Sequence, residues 1–526
     1  MAPPVIPDDP SVIRPTLEHL KKTFLTGRTK DISFRIQQLK NLARGIKELS
    51  SKIDEAVHQD IGLSPFINYM ASSTPCLNEI EDCIRNVRKW SKKESVNTPV
   101  PLGPAKSYIV PEPYGVCLVL SAWNYPLVTL IPPVATAIAA GNCVIAKPSE
   151  MAPHTSKVML ELFEKYLDKD CYRVIEGQVQ VAIAITKEKF DVLVFTGSPE
   201  KGRLVAKAAA ENLIPCVLEL GGKSPTIVDQ DANIDNAAMR IITGRFLNAG
   251  QTCIAPDYCF AHKSVKEKFL NKLKEYRNKF HGEDPKKDPH YGRMINEWHA
   301  NRLKEYLDDN HGGKIVFGGE VDIKSKYVAP TVVDSPSVKS KMMQDEIFGP
   351  ILPVFEFTEI DDVIKFINER EKPLALYYYG GNSNPHKERL IKETSSGAVM
   401  VNDSLFHLLN SELPFGGVGN SGYGACHGKI GFDCLSHKKP VMEKYAINMF
   451  PFNARYPPYN QSRQKLIKFL FGTFSVSQYD ALRIIFFLIL AVTIFLNWNC
   501  VKSFGNCAGK TMTKVFGNGT NSTGEL

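Results

Sequence analysis

Between Val116 and Asp229 the chain alternates short apolar runs with stretches of helical spacing, and no other feature limits the possible folds as strongly. Val116 to Leu120, Cys143 to Ala146, Val192 to Phe195 and Thr226 to Asp229 read as buried strands, each ending at a Gly, Pro, Asn or Asp signal. Helical patterns lie between them, so the expected architecture is α/β with a largely parallel sheet whose ligands bind beyond the carboxyl ends of the strands. A second α/β stretch runs from about Gly222 to Met400, with helical spacing over Val265 to Phe280 and a strand-like run at Ala398 to Asn402. Ahead of both, Ile32, Ile36, Leu39, Leu42, Ile46, Leu49 and Ile53 predict an amphipathic helix over residues 31 to 60.

With 526 residues the chain has room for two or three packed domains. A formal charge of +8 spread over this length implies no nucleic-acid partner. The twelve cysteines include no CxxC pair and no Cys/His group at ligand spacing, so the bulk of the chain is read as reduced and cytosol-facing, with no metal site. Beyond Asn453 the composition changes. Tyr456, Pro457 and Pro458 break structure, Arg463 to Phe471 is basic and apolar, and Ile484 to Val501 is an uncharged segment bounded by Arg483 and Lys502, with Trp498 near one end. Its length meets the lower limit for a membrane-spanning helix, and its flanks suit a membrane interface. A buried core helix or an interfacial segment is the competing reading, because Asn497 and Asn499 shorten the apolar part.

Three places carry candidate chemistry. Asn248 to Pro256 (NAGQTCIAP) sets Cys253 in a glycine-preceded turn open to substrate, although any one cysteine taken alone is more often a small buried hydrophobe. In LELGGKSP, Glu219 stands among apolar residues at a strand end, which raises a carboxyl pKa and suits general-base work; a capping or salt-bridging glutamate is the plainer alternative. In SAWNYP, Asn124 follows a strand where the chain turns towards a helix, with Pro126 suited to that helix's first turn, and a side-chain amide there can donate to an oxyanion. Asn124 could equally be a simple turn residue.

Taken together, GQTC at Cys253, ELGGKSP at Glu219, WNYP at Asn124, AKPSE at Ala146 to Glu150, FTGSPEKG at Phe195 to Gly202, EIFGP at Glu346 to Pro350 and PFGGVGNSGYG at Pro414 to Gly424 resemble the aldehyde dehydrogenase superfamily, in that family's order. The short region before the first motif and PFGGVGNSGYGACHGKIGFDCLSHKK resemble the class that contains fatty aldehyde dehydrogenases. The ending resembles members of that class in which a C-terminal helix anchors the enzyme and the helix before it caps the substrate funnel.

The resemblance implies a Rossmann-like NAD-binding domain over 1–220, including an oligomerisation segment near 98–112, and a catalytic domain over 221–400. A return to the NAD-binding and oligomerisation region follows over 401–445, then a linker and funnel-capping helix over 446–481, a transmembrane anchor over 482–501 and a tail over 502–526. It makes Cys253 the nucleophile, Asn124 with the Cys253 N–H the oxyanion site, and Glu219 the base that activates water to release a carboxylic acid. Lys147 and Glu150 fall near the adenosine ribose, where a carboxylate favours NAD over NADP. Gly197, Ser198 and Gly202 form the strand-to-helix turn for the diphosphate, and Glu346 and Phe348 position the nicotinamide ribose. Pro199 and Lys201 depart from the residues usual in that glycine turn.

The expected activity is NAD-dependent oxidation of medium- to long-chain fatty aldehydes in membrane lipid metabolism, by a homodimer held to a bilayer through 482–501. The endoplasmic reticulum, the mitochondrial outer membrane and the lipid-droplet surface all fit. Asn518 and Asn521 head glycan-acceptor sequences, while Lys502, Lys510 and Lys514 suit a mitochondrial destination. Oxidation of aromatic aldehydes, cofactor-independent thioester or ester hydrolysis, and a non-catalytic membrane scaffold are the alternatives.

Overall fold

The strands Val116–Leu120, Cys143–Lys147 and Tyr258–His262 are buried at every position. Both faces are covered, which is why these runs lack the alternation of a half-exposed strand. Each fully buried Val, Leu or Ile side chain contributes about 1.5–3 kcal/mol. The computed structural model describes residues 3–99, 102–447, 453–471, 485–486 and 488–489, and it divides into two units. One comprises Met1–Lys93 with Val110–Lys439, the other Glu94–Ile109 with Pro440–Leu526.

The first unit has an α/β fold built on two sheets. In one, the strand order is Gly422–Tyr423, Cys216–Glu219, Val192–Thr196, Val116–Leu120, Cys143–Lys147, Tyr172–Val174. All pairings are parallel except that of Gly422–Tyr423 with Cys216–Glu219. The chain starts in the middle at Val116–Leu120, builds outwards to Tyr172–Val174, then returns to the other side at Val192–Thr196. This is the Rossmann-like order, and the switch between Val116–Leu120 and Val192–Thr196 opens a crevice at the carboxyl ends. The second sheet has the order Lys314–Phe317, Thr331–Asp334, Ile351–Phe357, Tyr258–His262, Pro225–Val228, Ala375–Tyr379, Ala398–Val401, and only its first pairing is antiparallel. Each sheet carries its own hydrophobic core.

Three expectations change in detail. Residues 31 to 60 form two helices, Ile32–Glu48 and Ser50–Ile61, because Leu49 leaves helical geometry at φ −93°, ψ 8°. The buried stripe runs through the joint (Ile46, Leu49, Ile53), so the sequence period does not reveal it; Ser50 and Ser51, which favour helix starts over interiors, are the local cause. Pro126 does not open a regular helix. It lies in turns in which the N–H groups of Leu130 and Ile131 both donate to the Leu127 carbonyl, and the helix is Ile131–Ala140, begun by Pro132 and Pro133 where no N–H is needed. The strand expected at Thr226 to Asp229 is Pro225–Val228, with Asp229 freed to accept from Tyr378, Asn384 and His386.

The second unit carries the strand Glu94–Val96, most of Ala105–Pro113, with which it pairs antiparallel, and the helix Gln461–Phe471. Among the described residues no helix is long and apolar enough to cross a membrane. The anchor expected over 482–501 lies outside the described residues except for Ile485, Phe486, Leu488 and Ile489, and the tail over 502–526 lies wholly outside them.

Candidate active site

Four adjacent parallel strands of the first sheet deliver side chains to one crevice from their carboxyl ends. Val116–Leu120 leads to Asn124, Cys143–Lys147 to Lys147 and Glu150, Val192–Thr196 to Gly197 and Ser198, and Cys216–Glu219 ends on Glu219 itself. The second sheet contributes from its amino edge: Cys253 precedes Tyr258–His262, and Glu346 and Phe348 precede Ile351–Phe357. Cys253, Glu219, Asn124, Lys147, Glu150, Gly197, Ser198, Glu346 and Phe348 all line a single cavity of about 1830 Å3. Gly202 does not line it. A Cβ there would stand 2.6 Å from the Leu220 side chain, so its smallness serves the packing of helix on strand.

Cys253 sits on a strained loop. Asn248 and Ala249 take left-handed φ values of 53° and 50°, and Gly250 has φ 74° with no room for a Cβ beside the Gly349 carbonyl. The loop is held by side-chain amides. Asn248 Nδ2 donates to the Asn124 carbonyl at 2.7 Å, Gln251 Nε2 donates to the Arg293 carbonyl at 2.9 Å, and Gln251 Oε1 accepts from the Ile295 N–H at 3.0 Å. Asn124 Nδ2 donates to the Gln251 carbonyl at 3.0 Å, which spends one amide hydrogen on orientation and leaves the other for a ligand. Sequence reasoning missed Asn248 and Gln251; the only signal was their place in the NAGQTC run.

Burial dominates the electrostatics of Cys253, Glu219 and Glu346. Cys253 is partly buried, and burial, reinforced by the charges of Glu346 and Glu219, pushes its thiol up to about 12, against the backbone N–H groups of Cys253 and Ile254 that favour thiolate. Glu219 is 5% exposed and burial holds it well above the usual carboxyl range. Neither of its oxygens has an aligned hydrogen-bond donor among the described residues. Cys426 lies against the carboxyl, and its thiol and N–H pull the value part of the way back. Glu346 is pushed up to about 8 by burial and then by the Asp257 charge, with the Gly222 N–H opposing.

A second cluster, also missed from the sequence, fixes Glu346. Partly buried Lys223 donates to Asp257 and to the carbonyls of Met342 and Asp345 at 2.8 Å each, while Asp257 Oδ1 accepts from the Ile347 N–H at 3.0 Å. Glu346 therefore stands between two tethered neighbours. The ring of Phe348 (φ 45°) meets Trp123 edge to face at 5.4 Å.

The crevice fits a dinucleotide. The helix Pro199–Glu211 aims its N-terminus at the cavity, and the Gly197 N–H is bonded to the Glu219 carbonyl at 3.0 Å. Ser198 spends its hydroxyl on capping, accepting from the Lys201 N–H at 3.3 Å. Lys147 Nζ lies 3.1 Å from Glu150 Oε2, so the half-exposed carboxylate is present to accept from a ribose hydroxyl but carries its own cation.

Comparison with known proteins agrees with this geometry. A family profile described as the aldehyde dehydrogenase family matches residues 12–441. The chain is 43% identical over 455 residues to aldehyde dehydrogenase family 3 member A2 of Pongo abelii, covering 86% of this chain and 93% of that one. It is 42% identical over 448 residues to a Rattus norvegicus protein named aldehyde dehydrogenase, dimeric NADP-preferring, covering 85% and 98%. A solved structure described as the substrate-bound state of Staphylococcus aureus AldH aligns with TM-score 0.84 at 41% identity, covering 87% of this chain and 99% of that one.

Proposed function

This chain belongs to the aldehyde dehydrogenase family, and from that premise we propose that it oxidises medium- to long-chain fatty aldehydes to carboxylic acids with NAD through a covalent intermediate on Cys253. The observation that carries the reading is the convergence of Cys253, Asn124 and Glu219 on one cavity whose mixed polar and apolar lining includes Met239, Leu247, Phe406, Leu408 and Phe415.

Cys253 adds to the aldehyde carbon as its thiol proton passes to water in the cavity, and the new oxyanion accepts from the free Asn124 amide hydrogen and the Cys253 N–H. The cofactor would be held by Lys147, Glu150, Gly197, Ser198, Glu346 and Phe348, with Gly202 allowing the close packing of the helix behind them, and when bound would supply the acceptor for the hydride lost from that carbon. Glu219 then takes a proton from water as the water attacks the Cys253 thioester, which frees the acid and returns the thiol. Burial makes Glu219 a stronger base than an exposed carboxylate, at the cost of being protonated over more of the pH range.

NAD is favoured because the Glu150 carboxylate faces the cavity. The Lys147 charge at 3.1 Å weakens repulsion of a 2′-phosphate, so NADP remains usable at a lower kcat/KM. The uncharged run Ile484 to Val501 is the basis for placing the enzyme on a bilayer, with the catalytic part facing the cytosol and a homodimer as the working form. Incubation with hexadecanal, shorter aldehydes and benzaldehyde, each with NAD and NADP, tests the whole reading. Hexadecanal with NAD should give the highest kcat/KM, and Cys253→Ala should abolish turnover. A best substrate that is short or aromatic, or acid release from a thioester without cofactor as the main activity, would refute it.

A further inference from the structure

Glu79 is a buried carboxylate with no place in the reaction described above. It projects from the helix Thr74–Trp90 at 3% exposure, and donors 348 and 349 residues away converge on it. His427 Nδ1 lies 3.0 Å from Oε2, the Gly428 N–H donates to Oε1 at 2.9 Å, and Thr136 Oγ1 donates to Oε1 at 3.4 Å. Burial alone would raise its pKa; these partners reverse the direction, so Glu79 stays ionised. The corner it grips is strained. His427 has φ 76° with ψ 139°, a region that side chains other than glycine's rarely enter, and Gly428 follows at φ 54°.

The same corner reaches Glu219. The Cys426 N–H donates to the Phe415 carbonyl at 2.8 Å, and the Phe415 ring meets the His427 ring edge to face at 5.4 Å. Upstream, Gly422 pairs with Glu219 across the sheet, and the Leu220 N–H donates to the Ser421 carbonyl at 3.1 Å. Residues 421 to 428 are thus tied at one end to the backbone of Glu219 and at the other to Glu79, with Cys426 between them against the Glu219 carboxyl.

We propose that Glu79 and His427 are positioning residues for Glu219: they clamp the Cys426–Gly428 corner, which is tied through Ser421 and Gly422 to the backbone of Leu220 and Glu219, so that the Cys426 thiol keeps its place beside the Glu219 carboxyl. The inference rests on Glu219 being the base of the hydrolytic step. Cys426 matters because Glu219 has no aligned donor of its own among the described residues. The titratable groups that bear on Glu219 are Cys253, Cys426 and Cys434. Of these Cys426 alone lowers its pKa, by polarising the carboxylate, so a displaced Cys426 leaves Glu219 protonated to higher pH.

The test follows decay of the acyl adduct on Cys253 after a single turnover, by rapid quench and mass spectrometry, as a function of pH. His427→Ala should slow decay about tenfold at neutral pH and move the profile to higher pH, with the amplitude of adduct formed unchanged. His427→Asn should restore most of the rate, because its amide stands near the place of Nδ1 and asparagine tolerates positive φ. Cys426→Ala removes only the thiol and should give the same alkaline shift even if His427→Ala proves insoluble. Parental rate and profile in Cys426→Ala, while Glu219→Gln is slow, would overturn the clamp and leave the base assignment standing. So would a His427→Ala loss expressed wholly as fewer adduct-forming molecules. Parental decay in Glu219→Gln would overturn the base assignment itself, and the clamp with it.

Discussion

Cys253 without bound ligands should resist alkylation at neutral pH. Burial and the neighbouring carboxylates push its thiol to about 12, whereas an ordinary thiol here starts from 9.0. At pH 8 the thiolate fraction falls from roughly one in ten to about one in ten thousand, close to a thousandfold, and alkylation follows the thiolate. The sign is fixed: for an acid whose pKa is raised, the reactive anion appears only as pH climbs, so log rate should rise with unit slope from pH 7 until the protein unfolds. The assay is iodoacetamide labelling of the purified enzyme, with the Cys253 peptide quantified by mass spectrometry and a solvent-exposed model thiol as reference. Glu346→Gln should raise the rate above about pH 8, where Glu346 is ionised, because its charge is the largest cause after burial. A rate that levels off below pH 8, or one equal to that of the model thiol, would mean the loop stabilises a thiolate and would refute the reasoning.

Glu346→Gln also has a stability signature. Its folded pKa of about 8 against 4.5 means that parental stability, full below pH 4.5, is lost as pH rises to about 8. At about 1.4 kcal/mol per unit, discounted by half for residual solvent, the variant should gain about 2 kcal/mol on the parent across that range; a melting-temperature difference that does not change with pH contradicts this. Asn248→Ala should cost about 2 kcal/mol, from one buried hydrogen bond at 2.7 Å and an alanine forced to φ 53°, and should slow acylation by loosening both Asn124 and the Cys253 loop. Unchanged melting and unchanged single-turnover acylation would disprove the link. Deleting residues 482–526 should move the enzyme to the supernatant after carbonate extraction and reduce hexadecanal turnover in membranes more than turnover of short aldehydes; a truncated form that stays in the pellet rejects the anchor.

Val116–Leu120, Cys143–Lys147 and Val192–Thr196 of the first sheet were legible because apolar runs covered on both faces survive in the sequence without needing their neighbours, whereas Tyr172–Val174 and Gly422–Tyr423 at its edges were not anticipated. Of the second sheet only the runs at Thr226 to Asp229 and Ala398 to Asn402 were read as strands, since its pairing partners are scattered between Pro225 and Val401. Cys253, Glu219 and Asn124 were legible as motifs, and so were the residues around Gly197 and Glu346. What the sequence could not give is which residues support them. The joint at Leu49 hides inside an uninterrupted apolar stripe. Nothing in the sequence pairs Lys223 with Asp257; the fold brings them together behind Glu346. The Cys253 pKa rises although its sequence context, a glycine turn, suggested exposure, because desolvation is set by atoms from both sheets. Glu79 and His427 are 348 positions apart, and only chain closure brings them within 3.0 Å. Short-range patterning encodes strands, helices and the residues proposed to react, because those follow from neighbours along the chain. The dielectric around each reacting group, and the buried charges that hold it, belong to the tertiary structure, because they depend on distances through space that no local pattern specifies.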